Sequence, residues 1–156
     1  MTIRQAMERG IAMLKSEGIT APKLKTRLLM QFVLNKTRQQ LIVYDNQPLN
    51  KNLEAKFFKG IDLLKKQIPI EHITHQKEFM KLNFFVDENV LIPRQDTEIL
   101  VEEVIKIAKR IGAKRILDLC TGSGAIAVSL AKYIDDSKIT ALDVSSKALE
   151  IARFEC

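Results

Sequence analysis

Cys120-Thr-Gly-Ser-Gly124 and Asp143 are the residues of this 156-residue chain whose types and spacing could do chemistry. Gly122 and Gly124 let a turn take positive φ and let backbone approach a ligand without a Cβ in the way. Asp143 lies 19 residues beyond Gly124, where a carboxylate in a strand–turn–helix–strand unit can accept hydrogen bonds from both hydroxyls of a ribose. The pattern predicts a nucleoside site at the carboxyl ends of two strands. Without Asp143 the glycine pair would read only as a tight strand-to-helix turn.

The type of nucleoside follows from a neighbouring charge. Gly122-Ser-Gly124-Ala-Ile-Ala127 also satisfies the G-x-G-x-x-A form of nicotinamide and flavin enzymes. Asp118 argues against a dinucleotide, because a carboxylate beside the helix N-terminus that would cradle a pyrophosphate repels that anion. S-adenosylmethionine has no phosphate and carries a sulfonium and an ammonium, so an acidic rim favours it. Asp118 has a second reading, as a carboxylate that caps amides of the loop. No Ser/His/Asp or Cys/His set supplies another chemistry. His72 and His75 lack cysteine or acidic partners at metal-ligand spacing, and no metal site is expected.

The elements that must position these residues are legible from periodicity. Arg115–Leu119 reads as a short buried strand, Ala125–Tyr133 as a helix and Lys138–Leu142 as a second strand. Ser145 or Ser146 then caps a helix running into the C-terminus. A helix from about Thr97 to Ile111 precedes them, with Asp96 or Thr97 as cap, apolar positions at Ile99 or Leu100, Val104, Ile107 and Ala108, and Gly112 as stop. Upstream, Phe79, Leu82, Phe84, Phe85 and Val86 are separated by the turn-like Asp87-Glu88-Asn89 from Val90, Leu91 and Ile92, which predicts a β-hairpin linking two domains.

Before Pro69 the period is helical throughout. Thr2 with Gln5 and Thr37 with Gln40 form capping boxes, Pro22 opens a helix with an apolar stripe of Leu24, Leu28, Leu29, Phe32 and Val33, and Asn50 or Asn52 caps a fourth helix bearing Leu53, Phe57, Ile61 and Leu64. A small helical bundle is expected, with these residues as its core. The charge is lopsided: Met1–Ile73 holds 13 Lys+Arg against 6 Asp+Glu, a net +7, while the remainder holds 12 against 13, a net −1. The basic first half suits either a solvated face or docking of an acidic partner. No apolar run approaches the roughly 18 residues of a membrane-spanning helix, and two cysteines, Cys120 and Cys156, make no disulfide framework. A soluble cytoplasmic protein is expected.

Leu91-Ile-Pro-Arg-Gln-Asp-Thr-Glu98, Ile116-Leu-Asp-Leu-Cys-Thr-Gly-Ser-Gly124 and Ala141-Leu-Asp-Val144 together resemble the release factor glutamine methyltransferases of the HemK/PrmC type. The resemblance covers the whole chain. It implies a Rossmann-like α/β class I S-adenosylmethionine methyltransferase, here only its first part, preceded by a small all-α helical bundle and a β-hairpin linker. The implied divisions are 1–73 for a helical bundle that docks the release factor, 74–92 for the hairpin linker and 93–156 for a truncated methyltransferase domain. The implied reaction, part of translation termination, moves a methyl group from S-adenosylmethionine to the glutamine side-chain amide of the Gly-Gly-Gln motif in peptide chain release factors. Ribosome association is a further implied property. By position, Cys120, Thr121, Gly122, Ser123 and Gly124 would hold the methionine part of the cofactor, Asp118 its rim, Asp143 the ribose, and Arg94 would border the pocket unless it only pairs with Asp96 or Glu98.

The chain departs from that family at several points. Gln95 replaces a usual proline, Cys120 stands where glycine is common, and His72 and His75 occupy a stretch where that family usually shows an aromatic residue and a glycine, so a different start to the hairpin is expected. The family's Asn-Pro-Pro-Tyr motif, which grips the substrate amide, has no counterpart in these 156 residues. An amide nitrogen is a poor nucleophile, so catalysis rests on aligning it with the methyl group and hydrogen-bonding its protons. No catalytic residue is therefore assigned, and the chain is expected to be an inactive piece of a longer enzyme. Two other readings remain: a non-catalytic binding module of the translation machinery, and a related methyltransferase acting on RNA or another protein.

Overall fold

A computed structural model describes residues 1–154. The chain divides into two compact units, Met1–Thr74 and His75–Cys156, and Cys156 itself lies outside the described residues. No helix among them is long and apolar enough to cross a membrane.

The first unit is helical: α1 (Ile3–Ser16), α2 (Pro22–Leu34), α3 (Arg38–Val43), α4 (Lys51–Lys65) and α5 (Ile70–Thr74). Both capping boxes form, with Thr2 accepting from the Gln5 N–H and Thr37 from the Gln40 N–H. Asn50 is the cap of α4 and accepts from the Asn52 N–H at 2.8 Å. The short α5 was not anticipated. Pro69 opens it, because a fixed φ and a missing N–H cost nothing at a helix start, and the Pro69 carbonyl accepts from His72 and Ile73.

The core of this unit gathers Ile3, Ala6, Leu14, Leu29, Met30, Val33, Leu41, Phe57, Ile61 and Leu64. The buried face of α2 is narrower than its apolar stripe: Thr26, Leu29, Met30 and Val33 are buried, whereas Leu24 and Leu28 are exposed. Two helical glycines permit the closest packing. A Cβ on Gly60 would lie 2.6 and 2.8 Å from the Leu29 methyls, and one on Gly10 would lie 3.0 Å from Ile61 Cδ1. Three basic side chains cover aromatic rings: Arg9 on Phe58, Lys36 on Tyr44 and Lys56 on Phe32.

The second unit opens with the antiparallel hairpin of β1 (Lys77–Phe79) and β2 (Leu82–Phe84), in which Phe79 faces Leu82. This hairpin is shorter and earlier than the sequence suggested. Val90, Leu91 and Ile92 form no strand. Val90 instead packs with Val86 against Ala148 and Ile151, so this residue serves tertiary packing rather than pairing, while Leu91 is exposed. The turn consists of Met80 and Lys81, both at positive φ, the twist that a two-residue hairpin needs but usually takes from Asn or Gly.

There follow α6 (Asp96–Ile111), β3 (Arg115–Leu119), α7 (Ala125–Tyr133), β4 (Lys138–Leu142) and α8 (Ser146–Phe154). Gln95 is the N-cap of α6 and has helical φ/ψ with no side-chain bond, so neither Asp96 nor Thr97 caps it; Gly112 ends it at φ 69°. Its core face is Val101 and Ala108, while Ile99, Leu100 and Ile107 are exposed. Strands β3 and β4 are parallel, with Leu117 opposite Thr140 and Asp118 opposite Ala141. Alternation then sorts the side chains. Ile116 and Ile139 turn toward the core of this unit, whereas Leu117, Leu119 and Leu142 are 55%, 63% and 50% exposed. The expectation of a buried β3 is thus corrected: one face of this two-stranded sheet is covered.

Candidate functional site: the glycine loop and Asp143

The strand register decides where Asp118 points. As the residue between Leu117 and Leu119, it faces the covered side and is only 8% exposed. Its Oδ2 accepts from the Thr121 hydroxyl at 2.6 Å. Thr121 is equally buried, so the pair braces the loop from within. The bracing reading of Asp118 is the one the geometry displays, through a hydroxyl rather than through amides.

Asp143 holds the loop from the other strand. Its Oδ2 accepts from the Gly122 N–H at 2.8 Å, and its Oδ1 accepts from the Ser145 N–H at 2.9 Å. The Thr121 N–H adds a bond to the Leu142 carbonyl at 2.9 Å. The N–H groups of Ser145 and Gly122 stabilise the ionised form and hold the Asp143 carboxyl below the usual carboxylate range. The Val144 N–H adds a weaker contribution, and the two carboxylate oxygens, with about four lone-pair sites, still have room for a further donor.

The backbone of the loop explains its composition. Gly122 and Gly124 sit at φ 56° and 80°, and Cys120 at 62°. A Cβ on Gly122 would meet nothing within 4 Å, so open space lies over the loop there. On Gly124 it would meet the Ala152 Cβ at 3.1 Å, so the second glycine serves packing of α8. No side chain caps α7, which leaves the positive end of that helix available to an anion. Ser123 is buried within the turn and Cys120 is exposed. Such a site fits a nucleoside carrying a carboxylate: two hydroxyls for Asp143, and a helix N-terminus for the anion.

The structure therefore brings together Asp118, Cys120, Thr121, Gly122, Ser123, Gly124 and Asp143. Arg94 is different. Its side chain is exposed and makes no hydrogen bond or ion pair with any described residue. Glu98 accepts from the Met80 N–H instead, so pairing of Arg94 with Asp96 or Glu98 is not what is found. Ser145 was missed as a loop partner, although Asp143-x-Ser145 is an Asx-turn pattern readable in the sequence.

A parallel βαβ unit with a carboxylate-braced glycine turn is the opening of a Rossmann-like domain, and the class can be stated. Residues 94–156 match the Methyltransferase small domain, which makes this part of a class I S-adenosylmethionine methyltransferase fold, and residues 5–74 match the PrmC N-terminal domain. The chain is 37% identical over 153 residues to the release factor glutamine methyltransferase of Clostridium acetobutylicum, covering 98% of this chain and 54% of that protein. With the enzyme of the same name from Borreliella burgdorferi the identity is 41% over 137 residues, covering 87% and 47%. With that of Leptospira interrogans it is 40% over 152 residues, covering 97% and 53%. The chain is thus similar to release factor glutamine methyltransferases along nearly all of its own length, and it spans about half the length of the curated relatives it matches.

Proposed function

We propose that this chain supplies the cofactor half of a protein methyltransferase that acts on the glutamine side-chain amide of the Gly-Gly-Gln motif in peptide chain release factors. The observation that carries the reading is the Asp143 carboxylate, fixed by two N–H groups and with acceptor capacity left at the mouth of an open glycine turn. Asp143 would receive the ribose hydroxyls, and the turn from Cys120 to Gly124 with the α7 N-terminus would receive the methionine carboxylate. Asp118 would act through Thr121 by holding the turn. S-adenosylmethionine, when bound, supplies a methyl group on a sulfonium, an electrophile that an oriented amide nitrogen can attack.

No Asn-Pro-Pro-Tyr occurs in the sequence, and none of these residues is assigned to gripping the substrate amide. The basic residues 1–73 would dock the release factor, 74–92 would link, and 93–156 would hold the cofactor. Net charge supports that division, because an excess of cations in the first part steers an acidic partner.

Titration calorimetry tests the reading. The chain should bind S-adenosylmethionine and not a dinucleotide, and the reverse result would overturn it.

A further inference from the structure

Glu98 closes the Leu91–Glu98 segment that carries the family resemblance, yet its carboxylate does not face the glycine loop. Its Oε1 accepts from the Met80 N–H at 2.7 Å. The Met80 carbonyl in turn accepts from the Tyr133 hydroxyl at 2.6 Å. Both backbone polar groups of one residue are thus held by side chains from two helices, α6 and α7. Met80 is also one of the two residues that the hairpin turn forces to positive φ, a conformation that persists when its surroundings over-determine it.

The bond joins positions 18 residues apart. It closes a circuit of chain that runs from Met80 through β2, along residues 85–95 and into the first turn of α6. Those eleven residues have no helix or strand. In their middle, Val86 and Val90 pack with Ala148 and Ile151 of α8, the helix that starts three residues after Asp143.

We infer that Glu98 and Tyr133 are positioning residues that act through Met80. By fastening the hairpin tip to α6 and α7, they hold segment 85–95 against α8 and so keep α8 and Asp143 in register with the glycine loop. The effect on the cofactor rests on the reading of the glycine loop proposed above; the clasp itself does not.

Two measurements on the full chain separate the two. Hydrogen exchange at the Met80 amide reports the clasp, and calorimetric affinity for S-adenosylmethionine reports its consequence. Glu98→Ala should speed Met80 exchange by about tenfold and weaken the cofactor by about threefold to tenfold. Glu98→Gln keeps an acceptor oxygen and should restore both. Tyr133→Phe, which removes only the hydroxyl, should move both in the same direction by less. Unchanged Met80 exchange in Glu98→Ala overturns the clasp, as does a Gln variant no better than Ala. Faster exchange with unaltered affinity overturns the positioning role. If the unsubstituted chain binds no S-adenosylmethionine, the cofactor reading fails, while Met80 exchange still decides whether the clasp exists.

Discussion

Cys120 lies at φ 62° at the start of the glycine loop, where an L-residue with a Cβ bears a steric penalty that glycine lacks. The thiol is exposed, so substitution there changes backbone preference and almost no packing. The left-handed conformation costs an L-residue about 1–2 kcal/mol, and glycine gives back about 0.4–1 kcal/mol through its freer unfolded chain. Cys120→Gly should therefore stabilise the loop by about 0.5–1 kcal/mol, the difference of those terms. Cys120→Ala keeps the Cβ and should be neutral. Cys120→Val, branched at Cβ, should be worse than cysteine. Native-state hydrogen exchange at Gly122 and Gly124 reads the loop directly, since the first amide donates to Asp143 and the second to the Thr121 carbonyl. A gain near 1 kcal/mol slows exchange by about fivefold. If alanine slows exchange as much as glycine does, the thiol and not the backbone is responsible, and the reasoning fails.

Two further outcomes follow from the same geometry. The Asp143 carboxyl is held below its ordinary range, so its support of the loop is complete above the unfolded-state value and is lost only as pH falls through the lowered folded-state value. Gly122 exchange should accordingly stay protected through weakly acidic pH and rise below the usual carboxylate range, and Asp143→Asn should abolish that pH dependence. In the first unit, Gly60→Ala would set a Cβ 2.6 Å from a Leu29 methyl that is almost fully buried. Overpacking of about 1–3 kcal/mol against a helix gain of about 1 kcal/mol predicts a net loss of about 1 kcal/mol, read by faster amide exchange along α4; in a Leu29→Ala background, itself less stable, adding Gly60→Ala should cause no further loss.

What could be read from sequence was local in origin. The capping boxes at Thr2 and Thr37, the glycine stop at Gly112 and the span of α7 all depend on neighbours within a few residues. Its spacing from Gly124 singled out Asp143 as an acceptor for a ribose, whereas its bond to the Gly122 N–H had no separate signature. The rest depends on partners that periodicity cannot name. Val90 is apolar whether it pairs in a hairpin or packs on α8. Leu24, Leu28, Ile99 and Ile107 satisfy helical spacing, yet they lie outside the face the fold covers. Asp118 could line a rim or brace a turn until the register placed it on the covered side. Glu98 belonged to a recognisable motif, but its partner, the Met80 amide, has no signature because every residue except proline carries one.

The two-stranded parallel sheet has a consequence for handling the protein in solution. Its uncovered face carries Leu117, Leu119 and Leu142, and among the described residues neither outer edge of the β3–β4 pair meets another strand. Free strand edges accept almost any chain through their backbone groups. A net charge of +6 opposes such stacking between like molecules, but only over the reach of unscreened charge, about 10 Å at 0.1 M salt and about 3 Å at 1 M. Concentrated stocks should therefore stay clear in dilute buffer and turn turbid as salt is added, the opposite of what attraction between oppositely charged patches would produce.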